Sequence, residues 1–151
     1  MYPWRKPELF KPLIKSLNRF HIWIYEKYDG KYIGEFNGLP FCLMKVKGRK
    51  SGKIITIALL TIPHGDDYIL VASQGGAKIN PMWYYNLKEN PEIEMQVFSE
   101  KFKMKASELS NSEKNELWPK IIKAYPGYDN YQKTTNRNIP VFICKKDINL
   151  R

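Results

Sequence analysis

The sequence predicts an α+β domain in which mainly antiparallel strands form a small, partly open β-barrel. Two observations carry this prediction: strand-like runs come in hairpin pairs, and helical patterns stand at the edges and ends of the strand region. The chain has 151 residues, 43% of them hydrophobic and 14% aromatic, which is enough for one sizeable core. We therefore expect a single domain with an N-terminal amphipathic segment, residues 1–37, and a barrel over residues 38–151.

The first predicted element is an amphipathic helix over residues 8–28. Apolar side chains recur there at helical spacing, and Gly30 ends the pattern. Pro12 is expected to disturb the first turn or to mark the true start of the helix. Two interpretations stay open: a helix that packs on the domain, and a basic, aromatic helix that rests on an anionic membrane surface.

Six runs have the composition and alternation of β-strands. They are residues 41–46, 54–62, 68–73, 92–98, 101–106 and 139–145. The fourth and fifth runs alternate strictly, so we expect a hairpin that turns through Ser99-Glu100. Strand prediction over the remaining runs depends on their apolar and β-branched residues.

Three helical signals lie between or after these strands. Pro81 stands where a short helix would begin, because proline is favoured in a first turn. Ser110 followed by Glu113 is a capping-box signature that opens a helix to about Ala124. Pro126-Gly127 ends that helix, and a further helical turn is expected after it.

The net charge of +10 is unevenly distributed. Residues 1–53 hold 12 Lys/Arg and 4 Asp/Glu, a net charge of 12 − 4 = +8, while residues 54–151 hold 13 and 11, a net charge of +2. The N-terminal third is therefore expected to meet something anionic: a phosphate-bearing cofactor, nucleic acid or a lipid surface. No motif of a known nucleic-acid-binding fold is present, so nucleic acid is not the expected partner.

The cysteine pattern and the apolar stretches bear on location. Cys42 and Cys144 lack metal-ligand spacing, so we expect reduced thiols on strands and no metal site. No stretch approaches the ~20 apolar residues that span a bilayer, and the N-terminus lacks a signal-peptide core. The expected location is the cytoplasm, with peripheral contact at the inner face of the membrane left open, as are monomer and dimer.

The basic turn over residues 47–53 combines four cations, two glycines and one hydroxyl between two strands. Cations, free loop amides and a hydroxyl are the groups that bind phosphate. The turn is not a Walker loop, and a basic hairpin turn can also be merely solvated. Both interpretations stay open on this turn alone.

A second group joins two glycines to a dense aromatic cluster. Gly75 and Gly76 follow a strand, and glycine lets the main chain come close to a flat ring or a phosphate. The helix expected at Pro81 would present its N-terminus, which favours anions. The i,i+4 pair Trp83 and Leu87 equally suits simple packing in the core.

A third group is the series Tyr125, Tyr128 and Tyr131, at steps of three residues. This spacing places three rings along one edge of a helical or turn segment. Three phenols can line an aromatic pocket and donate hydrogen bonds. Rings that merely cover one end of the barrel fit the spacing as well.

Six motifs follow one another in order between residues 38 and 145. They are G-R-K-S-G at 48–52, A-S-x-G-G-A at 72–77, P-x-W-Y-x-N-L-K-x-N-P at 81–91, L-W-P at 117–119, Y-P-G-Y-x-x-Y-Q at 125–132 and R-x-I-P-V at 137–141. This order resembles the deazaflavin-dependent nitroreductase family, which includes quinone reductases. The resemblance implies a flavin-binding-type split β-barrel, coenzyme F-420 (an 8-hydroxy-5-deazaflavin), and hydride transfer to quinones or nitroaromatic compounds.

The resemblance also implies residue roles. The predicted cofactor-binding set is Gly48, Arg49, Lys50, Ser51, Lys53, Ser73, Gln74, Gly75, Gly76, Lys78, Met82 and Trp83. The predicted catalytic set is Tyr125, Tyr128 and Tyr131. The turn at 48–52 would hold the coenzyme phosphate, and the 73–76 segment with Met82 and Trp83 would lie along the deazaflavin. The tyrosines would face the substrate, with Tyr128 as hydrogen-bond donor and proton source.

Two positions depart from the family pattern. Members usually have Pro-Arg where this chain has Ile54-Ile55, and they often have Lys where Gln74 stands. Lys53 and Lys78 are close enough in sequence to supply the missing charge. The alternatives are a flavin mononucleotide (FMN) reductase of the same fold, and a non-enzymatic basic module that binds nucleic acid or membrane.

Overall fold

An antiparallel sheet of eight strands, curled into a half-barrel, is the centre of the computed structural model, which describes residues 7–147. The strands are β1 (Glu35–Phe36), β2 (Leu39–Lys47), β3 (Ile54–Leu60), β4 (Ile62–His64), β5 (Asp67–Val71), β6 (Glu92–Val97), β7 (Glu100–Glu108) and β8 (Val141–Lys146). Their order is β1-β2-β6-β7-β8-β5-β4, and β3 also pairs with β2. Residues 1–6 of the predicted N-terminal segment and 148–151 of the predicted barrel lie outside the described residues.

Within residues 7–147, four α-helices and one short 3-10 helix accompany the sheet. They are α1 (Pro7–Tyr28), α2 (Met82–Glu89), α3 (Asn111–Ala124), α4 (Gly127–Thr134) and the 3-10 helix Gln74–Gly76. The predicted capping box is confirmed: the Ser110 hydroxyl accepts from the Glu113 N–H at 3.2 Å, and the Glu113 carboxylate accepts from the Ser110 N–H at 3.0 Å. Pro12 lies inside α1, which begins before it.

Thr61 is the residue at which the sheet curls. The prediction of a single strand over residues 54–62 was wrong, because Thr61 separates β3 from β4. Thr61 is fully buried; its N–H donates to the Pro40 carbonyl at 2.9 Å and its hydroxyl to the Ile69 carbonyl at 3.1 Å. Because β3 pairs with β2 and β4 with β5, this one residue joins strands at opposite ends of the sheet.

The hairpin between β6 and β7 turns one residue earlier than predicted. Val97 pairs with Glu100, so the turn residues are Phe98 and Ser99. Phe98 has a left-handed φ of 53°, which is costly for a bulky residue. Its N–H donates to the Tyr25 hydroxyl at 2.7 Å, so contact with α1 accompanies the unusual turn.

Two apolar cores lie on opposite faces of the sheet. The first fills the half-barrel and includes Cys42, Met44, Leu70, Met95, Met104, Phe142 and Cys144, with Trp83 and Leu87 of α2. The second lies under α3 and α4 and includes Ile62, Ile69, Val71, Ile121, Tyr128, Ile139 and Val141. Alternate residues of β5 and β8 therefore face different cores. Both cysteines are free and buried, and burial raises the pKa of Cys42 to about 12.

Helix α1 is attached by its C-terminal half. The Tyr25 hydroxyl donates to the Phe41 carbonyl at 2.8 Å, and His21 Nε2 lies 2.9 Å from the Ile33 carbonyl oxygen. An apolar stripe along the other side of the helix is more than half exposed: Leu13 57%, Leu17 58%, Phe20 57% and Trp23 53%. None of the helices within residues 7–147 is both long and apolar enough to cross a membrane.

Candidate functional site

The basic turn between β2 and β3 is closed by its own backbone. Gly48 N–H donates to the Lys53 carbonyl at 2.8 Å, and Gly52 N–H donates to the Gly48 carbonyl at 2.9 Å. Gly52 has a φ of 69°, which favours glycine. A Cβ on Gly48 would lie 2.6 Å from Ser51 Oγ, so glycine leaves room for that hydroxyl, which accepts from Lys53 N–H at 3.2 Å. The turn is therefore closed by hydrogen bonds of its own backbone and of the Ser51 side chain.

Helix α2 supports this turn from the side. The Asn86 side-chain oxygen accepts from the Arg49 N–H at 3.1 Å, and the Asn90 side-chain amide donates to the Lys47 carbonyl at 3.2 Å. Asn86 is almost fully buried. The P-x-W-Y-x-N-L-K-x-N-P motif thus supplies both asparagines that fix the basic turn.

Arg49 contacts an aromatic ring and carries a buried donor. Its guanidinium lies over the Tyr85 ring, with Cζ 5.0 Å from the ring centroid. Among the described residues, Arg49 Nε is buried and has no hydrogen-bond acceptor. Burying an unpaired polar group is unfavourable, so this donor is a natural place for an anion. Lys50 and Lys53 are exposed on the same turn.

The predicted ring-contacting segment is a strained turn packed against α4. Gln74, Gly75 and Gly76 have φ values of 44°, 62° and 79°, all left-handed. A Cβ on Gly76 would clash with Thr134 Oγ1 and lie 3.0 Å from the Tyr131 carbonyl oxygen. Gly76 therefore has a packing role in addition to its predicted place beside a ring. Lys78, two residues on, is exposed.

The first two residues of helix α2 differ in solvent exposure. Trp83 is only 7% exposed and packs against Phe142, with ring centroids 6.1 Å apart. Met82 is 64% exposed. The core-packing interpretation of Trp83 and Leu87 is confirmed, because both belong to the core of the half-barrel. The predicted contact of Met82 and Trp83 with a cofactor stays a prediction.

The three predicted tyrosines form one cluster. Ring centroids are 4.8 Å apart for Tyr125 and Tyr128, 6.4 Å for Tyr125 and Tyr131, and 6.3 Å for Tyr128 and Tyr131. Tyr128 lies deepest, with 5% of its surface exposed, and Tyr125 also contacts Phe36 of β1 at 6.3 Å. Burial, with smaller contributions from the other two phenols, raises the pKa of Tyr128 well above its usual value. Its hydroxyl therefore stays protonated and able to donate at neutral pH.

Sequence reasoning missed Arg137 as a site residue. Its guanidinium donates to three backbone carbonyls of the segment that holds Gly75 and Gly76. The R-x-I-P-V motif contained this residue, but a lone arginine before a strand carries no signal of what it contacts.

Lys114 is a buried cation that the sequence did not reveal. It is 8% exposed; its ammonium donates to the side-chain oxygens of Gln132 at 2.8 Å and Asn138 at 2.5 Å and lies 4.8 Å from the Trp118 ring centroid. Burial, with a smaller contribution from Arg137, lowers the Lys114 pKa. In the sequence, Lys114 stands among polar residues of a helix and cannot be told from a solvated lysine.

Comparisons with known proteins decide the family. The model of the F420H(2)-dependent quinone reductase family matches residues 17–146 of the chain. The chain belongs to this family. An F420H(2)-dependent quinone reductase of Mycobacterium tuberculosis strain H37Rv is 34% identical over 135 residues, which are 87% of this chain and 91% of that protein.

Solved structures similar to this member of the quinone reductase family agree on the fold. An F420-H2 dependent reductase has a TM-score of 0.65 and 37% identity, covering 70% of this chain and 94% of its own. A second chain, solved as a domain-swapped dimer, has a TM-score of 0.67 and 33% identity, covering 82% of this chain and 97% of its own. The split β-barrel and the oxidoreductase family, both expected from the resemblance, are confirmed.

Proposed function

We propose that this chain is an oxidoreductase that reduces quinones with the reduced form of coenzyme F-420. The observation that carries the proposal is the buried Nε of Arg49, which has no hydrogen-bond partner within residues 7–147, in a turn that is already closed and supported by Asn86. In a family named for its use of F420H(2), such a donor suits the phosphate of that coenzyme. FMN is the less favoured alternative.

The residues present fit a planar coenzyme with a phosphate. Arg49, Lys50 and Ser51 would hold the phosphate, and the 73–76 segment with Met82 would lie beside the ring system. When bound, the reduced coenzyme supplies the hydride.

The protein's own contribution to the reaction comes from the tyrosine cluster. The Tyr128 hydroxyl would donate a hydrogen bond to the substrate oxygen on which negative charge builds, and Tyr125 and Tyr131 would form the pocket walls. Nitroaromatic compounds develop the same kind of charge on oxygen and are proposed as further substrates.

The coenzyme assignment predicts a preference that titration can measure. We expect coenzyme F-420 to bind at least about tenfold more tightly than FMN, because the net +8 charge of residues 1–53 suits its acidic tail. Fluorescence titration with both compounds gives the two Kd values, and riboflavin, which has no phosphate, controls for stacking of the ring alone. Tighter binding of FMN would move the FMN alternative into first place.

We further propose that the exposed stripe of α1 contacts an anionic membrane surface. Leu13, Leu17 and Phe20 lie along one side of the helix, and each is more than half exposed. Trp23 is also exposed, and the Lys27 ammonium lies 4.9 Å from its ring centroid. In a basic helix of this kind, the apolar stripe inserts among the lipid chains and the cationic side chains attract the anionic headgroups.

Vesicle sedimentation tests this contact. We expect the protein to sediment with vesicles containing phosphatidylglycerol but only weakly with pure phosphatidylcholine, and Leu17→Ser with Phe20→Ser to reduce binding at least about fivefold. Ile79→Ser, which also removes an exposed apolar side chain (68% exposed), is the matched control. A second copy covering the stripe is the competing outcome. Light scattering would then show a dimer that Leu17→Ser with Phe20→Ser dissociates, and vesicles would not be bound.

A further inference from the structure

Arg137 is the centre of a set of hydrogen bonds that draws the two ends of one short segment together. Its Nη2 donates to the Ser73 carbonyl at 2.6 Å, its Nη1 to the Ala72 carbonyl at 3.0 Å, and its Nε to the Ala77 carbonyl at 2.8 Å. Nη1 also donates to the side-chain oxygen of Asn80 at 2.8 Å. One side chain therefore contacts both ends of the 72–77 segment and the residue that precedes Pro81.

The shape of the guanidinium matters for this arrangement. Its N–H groups diverge in one plane, so they reach carbonyls that lie in different directions. A lysine ammonium is a compact point charge and cannot span the same acceptors. The segment it holds contains three successive left-handed residues. Two are glycines, but Gln74 at φ 44° has a conformation that a non-glycine residue keeps only where the surroundings enforce it.

Arg137 is itself held by α4 and α3. The Gln132 side-chain amide donates to the Arg137 carbonyl at 2.8 Å. The Gln132 side-chain oxygen accepts from Ile139 N–H at 3.0 Å and from the buried Lys114 ammonium at 2.8 Å. The segment is thus fixed to both helices of the second core through Arg137, and a second time through the contact of Gly76 with Thr134.

We infer that Arg137 is a positioning residue for the coenzyme site. Its guanidinium binds the carbonyls of Ala72, Ser73 and Ala77. The glycine turn between them therefore keeps one backbone conformation, against which the ring system of the coenzyme would lie. This inference rests on the proposed function, because it assigns the ordered segment to that coenzyme. Arg137 itself does not touch the reacting atoms.

Arg137→Lys tests the inference, because it keeps the charge and loses the planar fork. We expect the Kd for coenzyme F-420 to rise about fivefold to tenfold, while the KM for the quinone stays within about twofold. In the protein without coenzyme, hydrogen exchange at the amides of residues 74–78 should quicken, while β2, β6 and β7 keep their protection. Arg19→Lys, the same change on the exposed side of α1, is the matched control and should alter neither quantity.

Two further measurements separate positioning from a general loss of structure. In Arg137→Ala, millimolar guanidinium ion should restore part of the coenzyme affinity, whereas ammonium ion at the same concentration should not. If Arg137→Lys does not fold, Asn80→Ala removes a single acceptor and should raise the coenzyme Kd about twofold to threefold. Unchanged affinity in the folded variants, or equal rescue by both ions, would overturn the inference.

Titration of the unaltered protein with coenzyme F-420 distinguishes failure of this inference from failure of the proposed function. If the unaltered protein does not bind coenzyme F-420 in the same titration, the proposed function has failed. Hydrogen exchange then decides only whether Arg137 holds the 72–77 segment: faster exchange confined to residues 74–78 supports that structural role, and unchanged exchange there overturns it.

Discussion

Replacing Arg49 and Lys50 together by alanine is expected to raise the Kd for coenzyme F-420 by tenfold or more. Losing a charge-assisted hydrogen bond costs about 1.5–3 kcal/mol, and each ~1.4 kcal/mol is a factor of ten in affinity. Arg49 carries a buried donor that has no acceptor among the described residues, so its hydrogen bond to the phosphate would be lost outright in the variant. Ile55 stands where family members usually have Arg, so each remaining cation should matter more in this chain.

Fluorescence titration of the coenzyme measures this effect, with thermal unfolding to confirm that the double variant folds. Lys101→Ala together with Lys103→Ala removes the same net charge from exposed positions on β7 and controls for a general electrostatic effect. The control should weaken binding less than threefold, and its effect should vanish at high salt. Unchanged affinity in a folded Arg49 and Lys50 double variant would show that the phosphate binds elsewhere.

Tyr128→Phe is expected to lower quinone turnover by about tenfold or more and to leave coenzyme affinity nearly unchanged. The change keeps the ring, so the packing of Tyr128 in the core under α3 and α4 is retained and only the hydroxyl is lost. A preorganised donor stabilises the oxygen charge that develops in the transition state, and removing it lowers kcat rather than binding. The raised pKa of Tyr128 keeps this donor protonated across the neutral range.

Steady-state kinetics on a quinone and on a nitroaromatic compound measure the effect. Tyr125→Phe and Tyr131→Phe are the matched variants, and as wall residues they should lower turnover by less than about threefold. Equal losses in all three variants would assign the cluster a packing role. Unchanged turnover in Tyr128→Phe would remove this hydroxyl from the mechanism.

The sequence predicted most of the secondary structure, because local patterns determine it. Ser110 and Glu113 cap α3 through bonds only three residues apart, and alternation identified β6 and β7. Thr61 illustrates what local patterns cannot contain. It lies in a run of apolar and β-branched residues that shows no break, and the strand ends there because Thr61 hydrogen-bonds to Pro40 and Ile69, which other strands supply.

The same distinction applies to the candidate site. The basic turn and the tyrosine series were visible because their chemistry is contiguous in the chain. The supports were not visible: Asn86 holds Arg49 across 37 positions, and Arg137 reaches Ser73 across 64. An asparagine in a helix and an arginine before a strand have no local pattern that tells them from surface residues. Only the family motifs contained these positions, and the motifs did not indicate what either residue does.

The place of β8 in the sheet has a consequence for how the protein is made. β8 pairs with β5 on one side and β7 on the other, so Val71 meets Val141 only after residues 72–140 have been synthesised. Until residues 141–146 emerge from the ribosome, the nascent chain carries two open strand edges that can pair with other chains. Translation speed and chaperone supply should therefore govern the soluble yield of this protein.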